Sequence, residues 1–183
     1  MKLYKKILIA IAILLAIPFI AALFVKKDFV VEKQVVINKP KQEVFDYVKL
    51  IKNQENYTVW TKADPNTKME YTGTDGTVGF ISSWKSDNRE VGVGQQEITK
   101  IVDGERVEVK ITFKEPFEGV NDAYTTVEAV SPTQTKVVNG FKGERNYIAR
   151  IICLFMNMDK MLGNDIQTSL TTLKKLLEAP GKN

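Results

Sequence analysis

Histidine is absent from the 183 residues, and cysteine occurs once. Without imidazole there is no Ser-His-Asp triad, no Cys-His pair and no histidine-based metal site, which removes the commonest routes to acid/base and metal chemistry. A single cysteine closes no internal disulfide. A domain of about 150 residues does not need one, because it buries enough apolar surface without covalent staples. Most of the chain also lacks a surplus of basic charge. The formal charge is +4, yet Lys2, Lys5, Lys6, Lys26 and Lys27 all precede the first acidic residue, Asp28, and the remainder holds 21 basic against 22 acidic residues. That balance argues against nucleic acid as a partner of the globular part.

What the N-terminus does have is a long apolar run. Residues 7–25 read ILIAIAILLAIPFIAALFV, nineteen residues without a charge. As a helix they extend roughly 28 Å, close to the hydrocarbon thickness of a bilayer. The run is longer than the apolar stretch of a cleaved signal peptide, and no small-x-small site precedes Lys26. The expectation is therefore an uncleaved single-pass anchor in residues 1–27, with one domain in residues 28–183. Lysines flank both ends of the run, so charge counting does not orient it. A basic start followed at once by an apolar run resembles an export signal, which favours an extracytoplasmic domain.

Beyond the anchor, residues 29–37 (FVVEKQVVI) read as a strand. Asn38-Lys39-Pro40 looks like a helix start with Asn38 as cap, and Val44, Phe45, Val48 and Ile51 recur at helical spacing through residues 40–52. Residues 53–68 read as irregular. Six further strands are expected at 68–72, 77–84, 91–101, 105–114, 120–130 and 134–142, separated by short polar, Gly- or Pro-containing turns. The clearest is 105–114, where Val107, Val109, Ile111 and Phe113 alternate with Glu108, Lys110, Thr112 and Lys114. Apolar residues stepping by three or four from Ile148 to Leu177 predict one amphipathic helix over about 146–178, with Gly163 as a bending point and Pro180-Gly181 as its stop. This order gives an α+β fold in which a curved antiparallel sheet wraps its dry face around the last helix.

On that dry face, strand parity places a few polar groups among apolar ones. Ser82 and Trp84 share a face with Phe80, and Gln96 shares one with Ile98. Thr125 lies with Ala123 and Val127, and Asn139 lies between Val137 and Phe141. Apolar walls with a few fixed polar groups are the composition of a ligand cavity. Phe155 and Met158, with Met156 and Met161, are expected to face the same space from the helix, and Trp60 to close its mouth. The inward positions legible from parity hold no Asp, Glu, Lys or His. Gly92-Val93-Gly94 sits inside a strand pattern and reads as a bulge or close approach instead of a phosphate loop.

Val35-x-Ile37-Asn38-x-Pro40 with Val44-Phe45, Trp60 with Asp64-Pro65, Gly79 and Trp84, Gly92-x-Gly94-x-Gln96-x-Ile98, Thr135-Lys136-Val137 and Leu170-x-x-Leu173-Lys174-x-x-x-Glu178 follow one another in an order that resembles a known family. The resemblance is to the membrane-anchored bacterial branch of the START-like, polyketide cyclase/dehydrase (SRPBCC) superfamily. It implies a helix-grip fold: seven antiparallel strands around a long C-terminal helix, with a cavity between them. Asn139 departs from the pattern, since an aromatic residue often stands there in that branch, and the cavity should be larger or more polar for it. Because this fold hosts both carriers and enzymes, function does not follow from it. The reading favoured by the residues is a membrane-anchored module that binds a small apolar or amphipathic molecule, such as a lipid or isoprenoid, without a cofactor or metal. The alternatives are a cyclase/dehydrase-like enzyme and a structural or assembly role.

Overall fold

A computed structural model describes residues 3–180 of the chain. Lys2 and Gly181, which figured in the reading above, lie outside the described residues. The chain opens with helix α1 (Leu3–Ala22), which continues through Pro18 and buries only Ala22. Among the described residues it is the one helix long and apolar enough to cross a membrane.

Strand β1 (Asp28–Ile37) follows, then α2 (Lys41–Val48), a 3-10 helix (Ile51–Asn56) and the short α3 (Val59–Lys62). Next come β2 (Lys68–Thr72), β3 (Ile81–Lys85), β4 (Val93–Val102), β5 (Arg106–Glu115), β6 (Gly119–Ser131) and β7 (Gln134–Glu144), before α4 (Tyr147–Cys153) and α5 (Met158–Glu178). The seven strands form one antiparallel sheet in the order β1-β7-β6-β5-β4-β3-β2. Alternation governs which face is dry: Val107, Val109 and Ile111 are buried while Lys110 between them is exposed. The core lies between the concave face, α5 and α2, and Phe45, Phe80, Ile37, Ile98, Ile166 and Leu173 are its largest fully buried side chains. This is the helix-grip arrangement.

Several local expectations need correction. Asn38 does not cap α2. Extended backbone at Pro40 carries the chain off β1 and makes Pro40 the cap residue, without a side-chain bond. The Asn38 N–H instead donates to Glu178 Oε1 at 2.5 Å, and its amide oxygen accepts from Gln134 at 2.8 Å. Residues 53–68 are less irregular than the sequence suggested, since the 3-10 helix and α3 fall there. Strand β3 begins at Ile81 instead of residue 77, because Gly76 and Gly79 take positive φ (76° and 87°) and coil the preceding segment. The C-terminal helix is two helices. The chain breaks after Cys153, and Asn157 restarts it by accepting the Lys160 N–H at 2.9 Å. Gly163 does not interrupt α5 and leaves room for the Lys33 side chain, whose Cε would stand 2.9 Å from an added Cβ.

Arg145 joins β7, β1, α5 and the connector after α1. Its Nη1 donates to the carbonyls of Lys26 and Asp28, each at 3.2 Å. The same guanidinium pairs with Asp159 and stands 4.8 Å over the Phe29 ring. With a side chain only 10% exposed, it fills the junction as well as charging it.

The register of β4 against β5 shifts between Val93 and Gly94, so the glycine pair marks a bulge. It is also a close approach, since a Cβ on Gly94 would stand 2.4 Å from Trp84 Cζ2 and 2.8 Å from the Thr112 carbonyl. Gly94→Ala is expected to destabilise the domain by about 1–3 kcal/mol through overpacking and to displace the Trp84 ring. Urea unfolding followed by tryptophan emission checks both; wild-type stability would show that β4 yields without cost.

Candidate functional site

The seven-stranded sheet leaves a cavity of about 510 Å³ between its concave face and α5, roofed by the 3-10 helix and α3. That is within the size range of small-molecule sites. Ile111, Phe113 and Phe141 from the sheet and Leu162, Ile166 and Leu170 from α5 supply apolar wall. These α5 residues step by four, which keeps them on one face of the helix.

Five of the residues singled out from the sequence meet here: Trp60, Trp84, Gln96, Thr125 and Asn139 all line the cavity. Thr125 and Asn139 are direct neighbours across β6 and β7, and Asn139 Nδ2 donates to Thr125 Oγ1 at 2.9 Å. Gln96 Nε2 donates to Gln54 Oε1 of the roof at 3.0 Å. The Trp84 indole donates to the Val91 carbonyl at 3.2 Å and meets Phe113 edge-on. Trp60 packs on Phe141 with ring centroids 5.5 Å apart and is itself 37% exposed, so it stands at the mouth.

Three do not belong to the cavity wall. Ser82 is 1% exposed, but, flanked in register by the larger Tyr71 and Gln96, it is packed away from the space. Phe155 and Met158 are 74% and 41% exposed. The break before α5 turns them outward, together with Met156 and Met161, and the helix reaches the cavity only from Leu162 onward.

Sequence reading missed Gln54, Asn121 and Ser169. Asn121 has the same parity as Thr125 and was open to discovery. Gln54 lies in a segment without period. Ser169 faces the cavity from α5, accepting the Val59 N–H at 3.1 Å and donating to the Asp165 carbonyl at 2.8 Å, so it clips α3 to the long helix.

The absence of acids from the inward strand positions does not extend to the mouth. Glu55, Asp64 and Glu90 stand in the wall, contributed by the 3-10 helix and loops that parity does not describe. Two of them are engaged. Glu55 accepts from the Tyr71 hydroxyl, and Asp64 accepts from the Ser86 hydroxyl and from the Asn66 N–H at 2.9 Å. The Ser86 bond, then the Asn66 bond, hold the Asp64 carboxyl below its ordinary range. Burial drives the Tyr57 phenol well above its usual value. Burial, then its bond to Glu32, pushes Tyr124 up to about 12. Neither phenol is a ready acid at neutral pH. Among the described residues no cluster of three His, Cys, Asp or Glu side chains is placed to hold a metal ion.

Neither protein-family models nor curated proteins match the sequence. Solved structures do match the fold. Truncated norcoclaurine synthase from Thalictrum flavum aligns with a TM-score of 0.63 at 11% identity, over 86% of this chain and 98% of that one. The Aha1 dimer from Colwellia psychrerythraea aligns at 0.58 and 15% identity, over 85% and 99%. Ara h 8.0201 aligns at 0.56 and 10% identity, over 84% and 99%. At these identities the likeness is one of fold, the START-like helix-grip.

The Asp64 contacts generate a pH prediction. With a lowered carboxyl pKa, their stabilising effect is present above the ordinary carboxylate pKa and is lost as pH falls through the lowered value. Ser86→Ala should therefore shift the Asp64 midpoint upward, as read by carboxyl-carbon NMR titration. An unmoved midpoint would remove Ser86 as the main cause.

Proposed function

We propose that the chain is a membrane-anchored module that binds a small apolar or amphipathic molecule, such as a lipid or isoprenoid drawn from the adjacent bilayer, and does not transform it. The observation that carries this reading is a cavity of about 510 Å³ with apolar walls, in which the inner polar side chains are largely bonded to one another. An amide pair and a hydroxyl orient a polar end, while the aromatic and aliphatic walls supply the affinity. An anchor in the same chain raises the local concentration of bilayer-dissolved ligand, so modest intrinsic affinity suffices.

The named neighbours do not decide between carrier and enzyme, since one is a synthase and the fold serves both. The site residues favour the carrier. An enzyme of the cyclase/dehydrase kind needs a free acid or base against the ligand. Here Asp64 and Glu55 are committed to partners at the mouth, Glu90 stands at the rim in the β3–β4 loop, and the interior offers amides, hydroxyls and indole.

The core of the domain contains no residue of α1, so residues 28–183 can be prepared alone. Organic extraction of that purified domain followed by mass spectrometry should release a reproducible apolar species. Asn139→Trp, which projects a bulky ring into the cavity from β7, should reduce it. Turnover that depends on Glu55, Asp64 or Glu90 would instead establish the enzyme, and an empty extract from a well-folded domain would leave a structural role.

The anchor reading has its own test. Alkaline carbonate washing should leave the full chain in the membrane, and a tag after Asn183 should be open to protease in spheroplasts if the domain is extracytoplasmic. Release of the chain, or a mature N-terminus beyond Ala22, would overturn the anchor; a protected tag would reverse the orientation.

A further inference from the structure

Exposed apolar side chains gather at one end of the sheet. Ile148, Ile152 and Phe155 recur at i, i+4 and i+7 along α4 and the turn after it, and are 61%, 37% and 74% exposed. Met156 and Met161 continue the patch at 49% and 52%, and Phe117 in the β5–β6 turn is 74% exposed. The registers bring these segments together. Asp28 pairs with Glu144, Asn121 with Gly143 and Phe113 with Gly119, so the start of β1, the end of β7 and the β5–β6 turn share one end. The cavity mouth is there too, because the β3–β4 loop that forms its rim reaches the β5–β6 turn: an added Cβ on Gly92 would stand 2.0 Å from the Glu115 carbonyl.

We propose that α4 and the turn into α5 form an in-plane membrane contact, seated in the bilayer that α1 crosses, so that the domain is held with its cavity mouth against the lipid surface. The proposal rests on the anchor reading above. The occupant follows from depth. The Tyr147 hydroxyl donates to the carbonyl of Phe19 at 2.8 Å, which fixes the start of α4 beside the last turns of α1. Phe19 lies three residues before the end of α1 at Ala22, about 4.5 Å along the helix, and the apolar run continues to Val25. Interfacial helices sink about 5–10 Å into the boundary between headgroups and acyl chains, with apolar residues below and basic ones above. Arg150 has the basic part: its Nε is buried without a hydrogen-bond partner, its guanidinium stands 5.5 Å from the Tyr147 ring, and it is near enough to Lys27 to oppose that charge. A lipid phosphate in the headgroup layer above would pair with the outer nitrogens of that guanidinium.

The test uses the full chain reconstituted in vesicles of phosphatidylcholine and phosphatidylglycerol containing acyl-brominated lipid. In a Cys153→Ser background, an environment-sensitive fluorophore is placed by Ile148→Cys, Phe155→Cys, Leu14→Cys or Val130→Cys. Val130 is exposed near the opposite end of the sheet and serves as the aqueous reference. Blue-shifted emission quenched by the brominated lipid at 148 and 155 as well as at 14, but not at 130, is expected. Quenching at 14 with none at 148 and 155 overturns the proposal and leaves the anchor standing. Quenching at 148 and 155 without quenching at 14 keeps the contact surface and overturns the anchor. Silence at 148 and 155 with energy transfer between differently labelled chains assigns the patch to a second copy and overturns the lipid contact.

Discussion

A single helix is too narrow for the sheet it occupies. Seven strands about 4.8 Å apart span about 29 Å even before they curve, whereas a helix with its side chains is about 10–12 Å across. α5 lies chiefly along β1, at one edge, and so leaves the concave face of the middle strands uncovered. α2, the 3-10 helix and α3 bridge the remainder as a roof, and α2 packs on β6 and β7. The cavity is what this mismatch leaves between roof and sheet. Its existence needs no special residue; its shape depends on small ones, above all Gly94, which lets the Trp84 ring approach β4 closely.

The polar residues on that concave face would be costly if they faced an apolar space singly. Their pairing across neighbouring elements removes most of that cost. Asn139 meets Thr125 across one strand gap, Gln96 meets Gln54 between sheet and roof, and Ser169 meets the first N–H of α3. Two of these three bonds tie the roof to what lies beneath it. The groups that make the cavity polar therefore also keep it closed, and a ligand that competes for Gln96 or Ser169 acts on the roof as well as on the wall.

Period-two alternation made the sheet legible, because a strand buried on one face writes its environment into every second residue. That is why Gln96, Thr125 and Asn139 were placed on the inner face from sequence. Parity says which side a residue takes but not how far its side chain reaches, and so Ser82 was placed on the right face and in the wrong space. Helical spacing continued through residues 146–178 although the helix does not, since Asn157 can cap a new helix without disturbing the count of apolar residues. Phe155 and Met158 were misassigned for that reason: an apolar stripe tells which residues share a face, not whether the sheet covers it. Glu55, Asp64 and Gln54 fell in a stretch with no period, where tertiary contacts alone decide direction.

Only residues 23–27 separate α1 from β1, and Arg145 clamps that connector at Lys26 and Asp28 while holding Asp159 of α5. A loose linker would let the domain wander independently of α1. This one makes the two turn together, like a blade on a shaft. Transmembrane helices change their tilt to match bilayer thickness. With so short and well-braced a joint, such a tilt would swing the whole sheet and re-aim the cavity mouth. Where α1 crosses a bilayer, as proposed above, the thickness of the lipid becomes a mechanical input to the domain.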